Sequence, residues 1–116
     1  MKRKIICFDI DNVLCKTTKG NYLKSTPIKK NINLVNSLFE NGYYIKIFTA
    51  RYMGRNNDNR QKAIKQAKKI TKVQLKRWGL NYHKLILGKP SFDLYIDDKS
   101  IFYDKTWATK LQKKLL

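Results

Sequence analysis

Acidic side chains are scarce in this 116-residue chain: 8 Asp and Glu stand against 26 Lys and Arg, a formal net charge of +18. Such a balance says nothing of fold but favours anionic partners, namely phosphate esters, nucleic acid or acidic lipid. Lys far outnumbers Arg, and Asn and Ile are frequent, so part of the excess fits an AT-rich codon bias. Only two cysteines are present, Cys7 and Cys15. They form neither a disulfide framework nor a zinc pattern and read as reduced thiols in a cytoplasmic protein. The one histidine, His83, has no second histidine for a metal pair and reads as structural. No apolar run approaches the roughly 18 residues of a membrane span, so no membrane partner is expected. The start, Met1-Lys2-Arg3-Lys4, has the look of a signal n-region, but Asp9 and Asp11 cut the apolar stretch behind it. Repeats, low-complexity linkers and composition breaks are all missing, which leaves one domain over residues 1–116.

What is present alternates. Ile5 to Ile10 and Tyr43 to Phe48 read as buried strands, and Tyr82 to Leu87 and Phe92 to Ile96 as two more. Ile28, Ile32, Val35, Leu38 and Phe39 follow a helical period. Pro27 suits the first turn of that helix and Asn41-Gly42 its end. The basic stretch from Asn59 to Trp78 reads as two helices split near residue 70, because Thr71-Lys72-Val73-Gln74 has the capping-box pattern. Gly79 ends the second, and Ile101 to Leu116 finishes the chain as helix. Strands alternating with helices predict an α/β fold with a mostly parallel sheet covered on both faces.

Ligands of such sheets sit beyond the carboxyl ends of the strands, and each strand end here carries chemistry. The first runs into Asp9-Ile10-Asp11, the second into Thr49-Ala50-Arg51, the third into Gly88-Lys89-Pro90 and the fourth into Asp97-Asp98. Half of the acids of the chain lie in those two pairs. Carboxylates gathered on one sheet edge repel and require protons or a cation. Oxygen ligands at a small site suit Mg²⁺, which bridges to phosphoryl oxygens. Lys89 adds positive charge and Thr49 a hydroxyl donor, so the set suits a transferring phosphoryl group. One carboxylate could then attack phosphorus and the other protonate the leaving oxygen.

Phe8-Asp9-Ile10-Asp11-Asn12-Val13-Leu14 resembles motif I of the haloacid dehalogenase (HAD) superfamily of phosphatases. Ile47-Phe48-Thr49 resembles motif II, Lys89 motif III and Ile96-Asp97-Asp98 motif IV, in the order of the family. The resemblance covers about residues 4–104 and implies a Rossmannoid three-layer α/β/α sandwich. It implies Asp9 as nucleophile, forming an aspartyl-phosphate, and Asp11 as general acid and then base. It further implies Mg²⁺ held by Asp9, the Asp11 backbone carbonyl and Asp98, with Asp97 in support. Thr49, Lys89 and the backbone N–H groups of Ile10 and Ala50 would hold the phosphate. Two departures stand out: Asn12 replaces the frequent Gly, a position where Asn tolerates a left-handed backbone, and Asp104 lies six residues beyond Asp98. The gaps between motifs hold only a short flap, Cys15 to Thr26, and helices, so no cap domain is expected. Capless members act on large, extended substrates or shield the site with a neighbouring subunit, so a homo-oligomer is one expectation. Thr49-Ala50-Arg51-Tyr52-Met53-Gly54-Arg55, Gln74 to Gly79 and Tyr82-His83-Lys84 are similar to small phosphatases of capsular or surface polysaccharide synthesis.

The leading expectation is thus a Mg²⁺-dependent phosphomonoesterase on a phosphorylated small molecule such as a phosphosugar, with Arg51 and Arg55 either holding substrate or lying as solvated loop charges. An alternative is a polynucleotide end phosphatase. It draws on the net charge and on Lys62, Lys65, Lys69, Lys72 and Lys76, which share one helix face opposite Ile64, Ala67 and Ile70 or Thr71. No aromatic residues interleave with those lysines, so no stacking platform is evident. A third reading is a phosphoacceptor signalling domain, which uses a similar acid cluster in a different strand order.

Overall fold

Three of the four expected strands form. In the computed structural model, which describes residues 3–116, the chain runs β1 (Ile5–Phe8), β2 (Cys15–Lys16), β3 (Thr26–Pro27), α1 (Lys29–Glu40), β4 (Tyr44–Thr49), α2 (Arg60–Arg77), β5 (Lys84–Leu87) and α3 (Trp107–Leu115). β1, β4 and β5 make a parallel sheet in the order β1-β4-β5, with Ile6 opposite Ile45, Phe8 opposite Ile47 and Ile47 opposite Leu85. Each parallel step is bridged by a helix, as a parallel sheet requires. The result is the Rossmann-like α/β class expected from the alternating pattern. No described helix is long and apolar enough to cross a membrane.

Side chains alternate across a strand, and the two sheet faces differ accordingly. Phe8, Ile45 and Ile47 are buried together with Ile32, Val35 and Leu38 of α1, Leu75 of α2 and Leu111 of α3. The opposite face carries Ile5, Cys7, Tyr44, Lys46, Phe48 and Ile86, none of them fully buried. Cys7, expected in the strand core, lies on this face and is exposed. α1 ends as its sequence indicates: Asn41 donates its side-chain amide to the Ser37 carbonyl, and Gly42 takes a φ of 92°, which glycine adopts without strain. His83 is structural. Its Nδ1 accepts the Ile45 amide at 3.0 Å, and its ring stacks on Phe39 and Tyr44.

Four expectations are corrected. α2 is one helix from Arg60 to Arg77, unbroken at residue 70. Thr71 and Gln74 are buried and point at Arg51, so the side chains that would have capped a new helix are engaged in tertiary contacts instead. Pro27 lies in β3 opposite Cys15, outside α1. There the ring forfeits no ladder bond, and the next residue, Ile28, donates to the Leu14 carbonyl at 2.9 Å. Phe92 to Ile96 form no strand, with Leu94 and Ile96 78% and 89% exposed. Phe92 and Tyr95 gather instead around the Lys89 ammonium, at 5.3 and 5.2 Å from their ring centres, and β1 stays at the sheet edge. Finally, the last helix starts only at Trp107, behind a loop in which Ile101, Phe102 and Tyr103 are exposed.

Candidate active site

β1 ends at Phe8, and the backbone then coils tightly: the Val13 and Leu14 amides both donate to the Ile10 carbonyl, at 3.1 and 2.8 Å. Ile10 and Leu14 are fully buried and anchor this turn. Asn12 adopts a φ of 64°, the left-handed conformation anticipated for it. With Ile10 pointing inward, Asp9 and Asp11 are left lining an open pocket of about 300 Å³ together with Asn12, Ala50 and, from the flap, Thr17 and Lys19.

The expected repulsion between the two acids is met by side chains of the chain itself. Arg51, wholly buried, forks onto Asp11: Nη2 donates to Oδ1 at 3.0 Å and Nε to Oδ2 at 3.1 Å. Lys89 stands 3.4 Å from Asp9 Oδ2. Each carboxylate thus has its own cation. Burial pushes the Asp9 carboxyl above the ordinary carboxylate range, opposed by the Lys89 ammonium and the Ile10 amide and reinforced by the Asp11 charge. Burial likewise raises the Cys15 thiol, against the hydrogen bond with Thr17, as befits an unreactive thiol.

Lys89 is placed by two neighbours. Its amide continues the sheet by donating to the Thr49 carbonyl at 3.1 Å, and Gly88 before it adopts a φ of 84°. A Cβ on Gly88 would come within 2.6 Å of Arg60 Nε, so both the backbone angle and the close approach call for glycine. Thr49 is buried, and its hydroxyl accepts the Arg51 amide at 3.2 Å, which leaves its proton free to donate. The Ile10 amide, expected to face a phosphate, donates to Asp9 Oδ1 at 2.7 Å.

Arg51 and Arg55 are both engaged by groups of the chain itself. Arg51 has no exposed side-chain surface. Arg55 donates to the Gly20 carbonyl at 2.6 Å and stacks on Tyr22 and Tyr52, latching the flap to the loop after β4. Tyr22, Thr17 and Gln74 had not been singled out as site residues. Gln74 carried a signal, the polar residue of a capping pattern in mid-helix, but its partner lies 23 residues away and is not visible locally. Asp97 and Asp98 lie in the exposed segment before α3, and among the described residues no group of three or more His, Cys, Asp or Glu forms a metal cluster. The four-acid convergence is therefore absent from this arrangement, because the strand that would deliver the second pair has not formed. Asp104 lies apart from the pocket and organises the start of α3, accepting from the Thr106 amide, the Thr106 hydroxyl and Lys110.

The donor set matches a hard cation in kind and falls short in number. Mg²⁺ takes one or two carboxylates and otherwise water or phosphate oxygens. Asp9 is the one pocket carboxylate facing such an ion, since the Asp11 carboxylate is held by Arg51 and Thr17.

No protein-family model and no curated protein matches the chain. Among solved structures, the chain is similar to a structural-genomics target from Vibrio cholerae, at 23% identity and a TM-score of 0.79, over 96% of this chain and 98% of that one. It is also similar to a chain of the Pnkp1/Rnl/Hen1 complex, at 14% identity and a TM-score of 0.55, over 83% of this chain. A chain of the Pnkp1/Rnl/Hen1 RNA repair complex follows at 12% identity and a TM-score of 0.54, over 97% of this chain. This protein spans about a third of the latter two chains, 30% and 31%. These likenesses establish the fold.

Proposed function

We propose that the chain is a phosphomonoesterase of the HAD type, acting through an aspartyl-phosphate on Asp9. The observation that carries this reading is the pairing of Asp9 and Asp11 at the carboxyl end of β1, lining one pocket, with the Lys89 ammonium 3.4 Å from Asp9. An Asp9 oxygen attacks phosphorus and the ester P–O bond breaks. Asp11 gives a proton to the departing oxygen and then takes one from the water that hydrolyses the aspartyl-phosphate. Lys89 and the Thr49 hydroxyl offset the charge that develops on the phosphoryl oxygens.

Mg²⁺ would be held by the Asp9 carboxylate, the Asp11 backbone carbonyl and Asp98, with Asp97 in support, and would supply further charge neutralisation at the phosphoryl group. For that, Phe92 to Ile96 must pair with the free edge of β1, which would carry Asp97 and Asp98 to the end of the sheet where Asp9 and Asp11 stand. A pocket of about 300 Å³ admits a phosphorylated small molecule such as a phosphosugar, with a second copy of the chain shielding it. The test is phosphate release from a panel of sugar phosphates and nucleotides with Mg²⁺, with Asp9→Asn as control. Release by the wild type that Asp9→Asn abolishes is expected; no release from any compound would sink the reading.

One observation favours a second substrate class. α2 has no acid in its 18 residues, and Lys62, Lys65, Lys69, Lys72 and Lys76 are all exposed along it. Such a face suits a polynucleotide, and one structural neighbour comes from an RNA repair complex. An end phosphatase would bind a 5′- or 3′-phosphorylated oligonucleotide with a steep salt dependence, and Lys65→Glu/Lys69→Glu/Lys72→Glu would flatten it. Turnover of free sugar phosphates alone would exclude this class.

A further inference from the structure

Asp11 is wired to both ends of the flap. Thr17 opens the flap, and its hydroxyl donates to Asp11 Oδ1 at 2.6 Å. That spends the only proton of the hydroxyl, so the 2.6 Å contact with Ser25, at the far end of the flap, has Ser25 as donor. On the other side the chain of bonds is longer. The Tyr22 carbonyl in the middle of the flap accepts Gln74 Nε2 at 2.6 Å, Gln74 Oε1 accepts Arg51 Nη1 at 2.5 Å, and Arg51 Nε and Nη2 hold Asp11. The Arg51 guanidinium also lies over the Tyr22 ring, 5.0 Å from its centre.

Among the described residues no buried side-chain nitrogen or oxygen in this network lacks a partner. Its geometry makes the two Asp11 oxygens unequal. Oδ1 accepts from Thr17 and from Arg51 Nη2, while Oδ2 accepts only from Arg51 Nε. Oδ2 is thus the oxygen with acceptor capacity left.

We infer that Arg51, Gln74 and Thr17 are positioning residues that couple the flap to Asp11, so that displacement of the flap turns the acid out of register. This rests on the proposed role of Asp11 in proton transfer. Fixing Oδ1 from both sides aims Oδ2 at the pocket. The flap, which also supplies Lys19 to the pocket wall, thereby links ligand contact to the orientation of the acid. A buried network of this kind has few alternative arrangements, and a misplacement of about 1 Å at a reacting group costs on the order of 10²-fold in rate.

The test uses Gln74→Leu, which removes the bonds to Tyr22 and Arg51, and Thr17→Val, which removes those to Asp11 and Ser25, both keeping the bulk, beside Arg51→Lys, which keeps the charge and loses the fork. Two readouts are taken on the full chain: kcat and KM with the best substrate of the panel, and amide hydrogen exchange over residues 17–25. In Gln74→Leu we expect kcat to fall by about 10²-fold with KM nearly unchanged, and flap exchange to rise by about tenfold, the size of one lost hydrogen bond. Arg51→Lys should fall between wild type and Arg51→Met in kcat. Asp11→Asn should loosen the flap from the other end, raising its exchange as well. Unchanged flap exchange in both Gln74→Leu and Asp11→Asn would overturn the coupling, as would equal losses in kcat and 1/KM. A wild type without turnover would sink the phosphatase reading and leave the exchange readout to decide the coupling.

Discussion

Asp9 and Asp11 stand in a turn anchored by buried Ile10 and Leu14 and gripped by Arg51, Lys89 and Thr17. Asp97 and Asp98 stand in a segment where every residue from Ser91 to Ser100 is exposed, and Asp97 accepts only within its own turn, from the Lys99 amide at 2.8 Å and the Ser100 hydroxyl at 3.1 Å. Both pairs follow a short, mainly apolar run, the second interrupted by Asp93. What separates them is the partner: β1 has β4 along one side and a helical layer on one face, whereas Phe92 to Ile96 has neither. An apolar run supplies the tendency to form a strand, but position comes from the ladder and the packing that the neighbour provides. A candidate site is therefore only as well defined as its least supported element.

The largest effect expected is on chemistry at the ordered pair. Asp9→Asn should lower phosphate release by on the order of 10⁴-fold or more, since loss of a nucleophile removes the whole covalent route. The fold should survive, because Asp9 is partly exposed and its amide replacement can still accept the Ile10 N–H. Circular dichroism beside the phosphate assay separates the two effects.

Next comes stability, where the same contrast should appear. Leu75→Ala removes a fully buried side chain from the core and should cost about 2–5 kcal/mol by chemical denaturation. Phe102→Ala, in the loop before α3 and 80% exposed, should stay within about 0.5 kcal/mol. Equal losses would mean that the loop is packed in solution. A smaller effect sharpens the comparison from the side of the exposed segment. If Phe92 to Ile96 pairs with β1 during turnover, Ile96→Lys should reduce activity by about tenfold, the cost of burying an unpaired charge at the sheet. In wild type, adding Mg²⁺ and inorganic phosphate should slow amide exchange over residues 5–8. Unaltered exchange there, with full activity in Ile96→Lys, would show that the segment works as it stands here.

Much of this was legible from residue types alone. The order of strands and helices follows from period and punctuation, and Asp9, Asp11, Thr49 and Lys89 follow from lying at strand ends of a parallel sheet. The unread parts depend on distant partners. Arg51 sits in a loop-like triplet and looks solvated, but Asp11, 40 residues earlier, and Gln74, 23 residues later, draw its guanidinium inside. Thr71 and Gln74 match a local cap pattern, and α2 runs through it because tertiary hydrogen bonds claim both side chains. The internal neutralisation of the acids depends on distant partners in the same way: two of the 26 cations, Arg51 and Lys89, are folded in beside Asp11 and Asp9.

The smallest effect separates two aspartates with the same local geometry. Asp97 and Asp104 each accept the amide two residues ahead at 2.8 Å, from Lys99 and Thr106 respectively. Only Asp104 adds the Thr106 hydroxyl and the Lys110 ammonium, at 2.8 and 2.9 Å, and so ties the loop to the first turns of α3. The hydrogen bond from Lys110 is the main cause that brings its carboxyl down to about 2, with both Thr106 donors assisting. A carboxyl lowered on folding binds its proton less readily in the native state. Its contribution is therefore whole above the ordinary carboxylate value near pH 4 and is lost as pH falls towards about 2. Asp104→Asn should accordingly lower the melting temperature slightly at pH 7, with the difference from wild type narrowing through that window. Asp97→Asn should leave the melt unchanged at either pH. A gap for Asp104→Asn that stays constant down to pH 2 would assign its role to side-chain shape, since about half of the charge would then be gone from the wild type as well.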